Sequence, residues 1–378
     1  MSLLDASGRV LAQSLICDRD LPPFDRSTRD GFAVRAADVA NIPAQLRVVG
    51  EVRAGATWAN ALNPGEALEI MTGAGLPEGA DAVVMVEFTE RERDQVIVKR
   101  RVEAGENVVP RGAEARAAQR LLAPGTRVNH AVVALAASVG LDMLDVSLRP
   151  IVSVIATGDE LVRVTDAPGP AQIRDSNSYS VSAQVERSGG EVRFRSTARD
   201  ELEALRNAIG TGLNAHLLLL TGGVSMGKYD LVEQVLRDFN AEFLFTGVKI
   251  QPGKPLVFGR IPQAQGFAYF FGLPGNPVST MVTFALFVDP VLRALTGETA
   301  TPLRFLSARL KSAVRTKTGL TRFLPARLSG AMEQTEVELI PWHGSGDIAS
   351  TTQADCLLVV PPEREEIPAG ESVSVVVI

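Results

Sequence analysis

The run His216-Leu217-Leu218-Leu219-Leu220-Thr221-Gly222-Gly223-Val224-Ser225-Met226-Gly227 decides the fold. Consecutive leucines without polar alternation describe a strand covered on both faces, as in a parallel sheet. The run stops abruptly at glycines, and an amphipathic segment, Leu231 to Phe239, follows. A strand that delivers a glycine loop at its carboxyl end and then enters a helix is the ligand-binding edge of an open α/β sheet. Phe267 to Phe271 repeats the arrangement and ends in Gly272-Leu273-Pro274-Gly275-Asn276-Pro277, while Gln251-Pro252-Gly253-Lys254-Pro255 lies between the two.

Outward from this stretch, strands and helices alternate over 149–299, which predicts a three-layer α/β domain with a mostly parallel sheet. Its expected strands are Ile151 to Ala156, Glu191 to Arg195, Leu217 to Leu220 and Phe243 to Val248. Its expected helices are one capped by Ser178 and ended by Gly189-Gly190, Asp200 to Ile209, Leu231 to Phe239, and Val278 to about Leu295. Beyond Pro302 the helical pattern gives way to short strands, Phe305 to Val314, Thr321 to Leu328, Glu336 to Ile340, Leu357 to Val360 and Val373 to Ile378. Residues 300–378 therefore read as a small β-barrel or sandwich. Upstream, 39–107 is β-rich, with strands at Leu46 to Val52, Glu66 to Met71, Ala82 to Phe88 and Gln95 to Arg101. The remainder, 1–38 with 108–148, is mixed: an amphipathic piece near Val10 to Leu15, an extended stretch imposed by Pro22-Pro23, and a helix from His130 that Asn129 caps and Gly140 ends. Turn chemistry alone makes Asp30-Gly31 a surface turn and Thr72-Gly73-Ala74-Gly75 another.

A chain of 378 residues with 46% hydrophobic and 22% charged residues and a net charge of -6 is of ordinary globular composition and divides into several domains. That balance argues against a nucleic-acid footprint, so any bound anion must be held by local cations and backbone amides. Cys17 and Cys356 are far apart and lack neighbours at ligand spacing, which supports neither zinc nor a disulfide framework and fits a reducing cytoplasm. We expect no export signal at Met1-Ser2-Leu3-Leu4-Asp5 and no membrane span.

The loops carry the chemistry. Thr157-Gly158-Asp159-Glu160 sets carboxylates at the sheet's carboxyl edge, and Asp230 precedes the helix after the glycine loop. Carboxylates beside an anion-binding loop suit Mg²⁺ held against phosphate oxygens; helix capping by Asp230 and a solvated loop acid at Glu160 are the plain alternatives. Gly222, Gly223, Val224, Ser225 and Gly227 permit close backbone approach to an anion, with a hydroxyl from Ser225. This is neither a Walker loop nor a dinucleotide fingerprint. Lys249 and Lys254 bracket the next turn, and Lys254 sits between Gly253 and Pro255 as a placed charge for an oxyanion. Asp175, Ser176 and Asn177 offer polar groups at a helix start, for a heterocycle or phosphate or simply for capping. His130, His216 and His343 lie beside no nucleophile-elbow serine, which argues against acyl transfer. The residues describe a Mg²⁺-assisted enzyme acting on a phosphate-bearing ligand.

Leu21-Pro22-Pro23-Phe24-Asp25 through Asp30-Gly31-Phe32-Ala33-Val34, Thr157 to Leu161, Thr221 to Gly227, Pro252-Gly253-Lys254-Pro255 and Leu273-Pro274-Gly275-Asn276-Pro277-Val278-Ser279 occur together and in order. In this the chain resembles, over nearly its whole length, the MoeA family of molybdopterin molybdenumtransferases, which includes the gephyrin E domain. The resemblance implies subdomains at 1–38 with 108–148 (mixed), 39–107 (β-rich), 149–299 (a molybdopterin-binding domain like that of the MogA adenylyltransferases) and 300–378 (a β-barrel). It also implies an elongated homodimer with a site completed across subunits. The implied activity takes adenylylated molybdopterin and molybdate, uses Mg²⁺, releases AMP and leaves molybdenum on the dithiolene. Asp30, Glu160 and Asp230 would then be the functional and metal-binding acids; Lys254, Pro255, Ser279 and Ser345 would receive molybdate. A molybdopterin adenylyltransferase is the partner this implies. Alternatives are a catalytically altered relative that carries molybdopterin, or an adenylyltransferase itself, which the flanking domains disfavour. The chain departs from the family at Gln251 and Leu320, where cations are common, and at Glu114, where aspartate is usual; the leading helix common in the family is missing. Lys249 could compensate, while Arg322 is expected on the other face of its strand.

Overall fold

The computed structural model describes residues 1–223 and 231–378. Two compact units form, one of residues 1–7 and 11–145, the other of 8–10 and 146–378.

The first unit is built on a six-stranded sheet in the order Ala82–Met85, Gly31–Val34, Glu66–Ile70, Ala44–Val52, Gln95–Val98, Thr89–Glu92. Gly31–Val34 is a wholly buried inner strand, paired antiparallel on both sides. Gly31 is obligatory there, because a Cβ would stand 1.9 Å from the Val84 carbonyl oxygen. Short pairs, Leu15–Ile16 with Arg120–Leu122 and Arg26–Ser27 with Val108–Val109, join the flanking segments. The amphipathic piece at Val10 to Leu15 forms no helix: the chain is extended there, and the Leu11 amide reaches the Thr126 carbonyl at 2.9 Å. The helix His130–Ser138 is capped as expected, Asn129 accepting from the Val132 amide.

The second unit contains the α/β domain and a barrel. The α/β sheet runs Glu191–Ala198, Ile151–Thr157, Leu217–Thr221, Phe267–Leu273, Val257–Pro262, Glu242–Thr246. The first four run parallel, Val257–Pro262 is reversed against them, and Glu242–Thr246 pairs antiparallel with Val257–Pro262. Leu217–Thr221 is central and buried throughout, with Leu218 and Leu220 packed into one hydrophobic layer and Leu217 and Leu219 into the other. That division is the period-two consequence of covering both faces of a sheet. Removing one of these side chains would cost about 2–5 kcal/mol. Helices Leu202–Gly212 and Leu231–Asp238 cover one face, Asn177–Arg187 and Pro277–Thr283 with its continuation to Leu295 the other. The continuation passes through a π-turn at Phe284–Val288. Pro277–Leu295 is long and apolar enough to cross a membrane, but Phe284, Val288 and Leu292 are buried in the core, so it is a core helix here.

Two local expectations are corrected. Helix Asn177–Arg187 is held at its start by Asp175, whose carboxylate accepts from the Ser178 amide and hydroxyl, so Ser178 is capped and does not cap. The next helix begins at Leu202, leaving Asp200 outside it. A further strand, Val257–Pro262, outside those expected from sequence, pairs with Phe267–Leu273; a Cβ at Gly259 would stand 2.4 Å from the Glu242 carbonyl oxygen and from the Phe270 ring.

Downstream, Thr321–Ala331, Gln334–Leu339, Phe305–Leu310, Ser372–Val377 and Cys356–Val360 pair in turn, and the last returns to Thr321–Ala331. The result is a closed five-stranded barrel, which removes free sheet edges. Ile250–Gln251 adds in parallel to Thr321–Ala331, and Ile250, Val278, Leu286, Phe323 and Leu357 share one apolar cluster that joins barrel to α/β domain.

Candidate functional site

At the carboxyl ends of the parallel strands opens a cleft of about 760 Å³, lined among others by Thr157, Glu160, Asp200, Gly222, Asn276 and Ser279. It lies where the sheet topology places a ligand.

Its floor is made by close backbone packing. Gly222 has φ +88°, and a Cβ there would sit 2.3 Å from the Thr157 carbonyl oxygen; at Gly223 a Cβ would meet the Thr157 hydroxyl at 2.6 Å. Only glycine fits this approach. Beside it, the hydroxyls of Thr157 and Thr221 are buried, the residues 3% and 1% exposed, and neither has a hydrogen-bond partner among the described residues. A buried hydroxyl left without a partner costs about 1–3 kcal/mol, so two at the head of one cleft mark a place where a polar ligand completes the structure.

One wall is acidic. The loop after Thr157 turns at Gly158, and the Glu160 carboxylate folds back over that glycine, 2.5 Å from where its Cβ would be. The Glu160 carbonyl accepts from Ile173 at 2.8 Å, and the Asp159 carboxylate accepts from the Asp200 amide at 3.2 Å. Partial burial, with Asp159 and Glu160 nearby, raises the Asp200 carboxyl above the ordinary aspartate range. Asp200 is a site residue the sequence conceals, because an acid just before a helix reads as a complement to the helix dipole. Among the described residues no three carboxylate, histidine or cysteine side chains converge as a ready metal cage. Mg²⁺ needs no such cage, since it takes one or two carboxylates and completes its shell with water and phosphate oxygens.

The opposite side joins the domain to the barrel. Asn177 donates to the Gly275 carbonyl at 2.7 Å, and Ser176 lines the cleft beside it. Asn276 stands at the start of Pro277–Thr283 but makes no cap bond; its amide reaches the Ser345 hydroxyl at 2.9 Å, and the Ser345 carbonyl accepts from the Val278 amide at 3.0 Å. The structure thus brings Ser345 from the barrel to within a hydrogen bond of the cleft, 69 residues from Asn276 in sequence. The loop that carries it is pinned by Asp347, held well below the ordinary range by the Ser350 hydroxyl and amide and by His343. Pro255 and the buried Ser279 also line the cleft; Lys249 and Lys254 are exposed on the adjoining turn. Asp175 is occupied, accepting from Ser178 and from the Thr197 hydroxyl at 3.3 Å.

Asp30 belongs to the first unit. Its carboxylate accepts from the Thr72 amide at 2.6 Å and hydroxyl at 2.8 Å, bonds that lower its pKa from the usual value. Thr72, read from sequence as part of a turn, is therefore the residue that orients Asp30. Val224, Ser225, Gly227 and Asp230 lie outside the described residues.

Family models match along the chain: the MoeA N-terminal region (domain I and II) at 1–140, a probable molybdopterin binding domain at 153–294 and the MoeA C-terminal region (domain IV) at 307–378. A molybdopterin molybdenumtransferase of Bacillus subtilis (strain 168) is 34% identical over 100% of this chain and 89% of its own length. One of Nostoc sp. is 39% identical over 79% of this chain and 69% of its own. Among solved structures, a molybdopterin biosynthesis moeA protein from Pyrococcus horikoshii OT3 superposes with a TM-score of 0.82 at 28% identity, covering 100% of this chain and 94% of that one.

Proposed function

Since the chain belongs to the MoeA family of molybdopterin molybdenumtransferases, a family of transferases, we propose that it inserts molybdenum from molybdate into adenylylated molybdopterin and releases AMP. The observation that carries this reading is the pair of unpartnered buried hydroxyls, Thr157 and Thr221, beside the Gly222-Gly223 floor. Together they fit a phosphate-bearing ligand held by backbone amides and hydroxyls.

In this reading the Gly222-Gly223 backbone and the two threonine hydroxyls hold the pyrophosphate. Glu160 and Asp200, with Asp230 as the resemblance implies, would hold Mg²⁺, which supplies charge neutralisation for the departing phosphate; Asp30 is a further functional acid that the resemblance implies. Water adds to one phosphorus of the anhydride, the bridging bond breaks and AMP leaves. Lys254, Pro255, Ser279 and Ser345 receive molybdate, with Asn276 fixing the Ser345 hydroxyl, until the two dithiolene sulfurs bond to molybdenum and one molybdate oxygen leaves as water with the two thiol protons. Asp159, Asp175, Ser176 and Asn177 shape the pterin side, and Lys249 adds positive charge. The reading keeps subdomains at 1–38 with 108–148, 39–107, 149–299 and 300–378. It places the enzyme in the cytoplasm as a homodimer supplied by a molybdopterin adenylyltransferase.

The test is to mix the full chain with adenylylated molybdopterin, Mg²⁺ and molybdate and to follow AMP. Tight pterin binding without molybdate-dependent AMP release would instead identify a carrier of molybdopterin.

A further inference from the structure

Arg322 does not face away from the turn that carries Lys254. Positions 320 and 322 share a face in an extended strand, Leu320 precedes the strand, and the parallel pairing of Ile250–Gln251 with Thr321–Ala331 sets Arg322 opposite Gln251. The guanidinium is nearly buried, the residue 9% exposed. Its Nε and Nη2 donate to the Lys317 carbonyl at 3.1 and 2.9 Å, and its Nη1 donates to Gln251 Oε1.

The buried charge of this arrangement is unneutralised, and the exposed carboxamide of Gln251 is open to a ligand. Arg322 makes no ion pair among the described residues, and neither do Lys249 and Lys254 on the same turn. A guanidinium taken out of water without a counter-charge is unfavourable, and an anion nearby offsets its charge without having to touch it. The Gln251 carboxamide, for its part, has its oxygen engaged, while its nitrogen makes no hydrogen bond among the described residues. Fixing the oxygen against Arg322 fixes where both N–H groups point. The turn that follows is clamped: Gly253 has φ +111°, and a Cβ there would stand 2.4 Å from the Thr283 methyl. The backbone of the turn from Gln251 to Lys254 is therefore held in one course, and Pro255 next to it lines the cleft.

We propose that Gln251 and Arg322 form one oxyanion contact, in which Arg322 is a positioning residue that orients the Gln251 carboxamide and Gln251 N–H groups, with Lys254, receive a tetrahedral dianion of the molybdate class. The proposal rests on the functional reading above for its ligand. It replaces a contact cation at position 251 by a neutral donor backed by a buried charge. Such a site relies on hydrogen-bond direction more than on bare charge.

Equilibrium dialysis of the full chain against molybdate alone, with no pterin, tests it. Wild type binds; Arg322→Met and Gln251→Leu each weaken binding by about tenfold, and the double variant is no weaker than the worse single one, because the two residues act as a unit. Arg322→Lys keeps the charge but not the fork that holds both Lys317 and Gln251, and loses a few-fold, roughly. Affinity for adenylylated molybdopterin is unchanged in all of them, which a general loss of structure would not allow. Should Arg322→Met fail to fold, Arg322→Lys and Gln251→Leu decide. Wild-type affinity in both of those, additive losses in the double variant, or no molybdate bound by wild type each overturns the proposal. If binding and its dependence on Arg322 persist while AMP release ignores molybdate, the functional reading fails and this contact stands.

Discussion

The loop after Ile151–Thr157 and the turn after Ile250–Gln251 belong to the same compact unit and are electrostatically incomplete in opposite senses. The first gathers Asp159, Glu160 and Asp200 so that the Asp200 carboxyl is pushed up by burial and by its neighbours. The second carries Lys249, Lys254 and Arg322 with no acid paired to any of them among the described residues. Elsewhere the chain shows that it can satisfy such groups: Asp347 is surrounded by donors from Ser350 and His343. In the proposed function the acidic loop takes a cation with phosphates and the basic turn takes an oxyanion.

The largest effect is expected where both regions depend on the shared floor. Gly222→Ala forces a methyl onto the Thr157 carbonyl oxygen, 2.3 Å away, at a positive φ. We expect AMP release to fall by roughly 100-fold or more, with loss of pterin-nucleotide binding, as read by a stopped assay and by titration. The two regions then separate. Glu160→Gln should lower AMP release by about 100-fold at unchanged molybdate affinity, whereas Lys254→Met should raise the molybdate half-saturation by about tenfold or more at unchanged nucleotide affinity. If each variant disturbs both ligands alike, the separation is wrong. Asn276→Ala, which frees the Ser345 hydroxyl, should raise the molybdate half-saturation several-fold and cost about 1 kcal/mol in denaturant unfolding.

Two smaller effects run in the direction of stability. Thr221→Val replaces an unpartnered buried hydroxyl by a methyl and should stabilise the ligand-free chain by about 1 kcal/mol while weakening nucleotide binding. Asp200→Asn should raise the melting temperature at pH 7. The folded carboxyl has its pKa above the unfolded value, so the native state holds the proton longer and wild-type stability declines as pH rises from the unfolded to the folded pKa. Below that window the difference between variant and wild type should shrink, which melting curves across acid pH will record.

Much of this was legible from sequence, for identifiable reasons. Leu217 to Leu220 could be placed because uninterrupted apolar residues ending at glycine admit few structures, and Asn129 because capping is local. Reasoning failed where the deciding contact was distant or competed with a local rule. Arg322 finds Gln251 across 71 positions, and Asn276 finds Ser345 across 69. Asp200 looks like a helix-start acid until the helix is seen to begin at Leu202. Ser178 looks like a cap until Asp175 takes that role. Val257–Pro262 went unassigned, and its pairing with Phe267–Leu273 places Gly259 against the Glu242 carbonyl and the Phe270 ring.

The central claim is that one cleft handles a phosphoanhydride and an oxyanion through separate groups. Rapid-quench measurement of AMP formed per chain in a single turnover, with adenylylated molybdopterin and Mg²⁺ and with or without molybdate, tests it most directly when the molybdenum retained on the released pterin is assayed in the same samples. Molybdate-dependent AMP release with about one molybdenum per AMP is expected. AMP release at the same rate without molybdate, or AMP without molybdenum on the product, would contradict it.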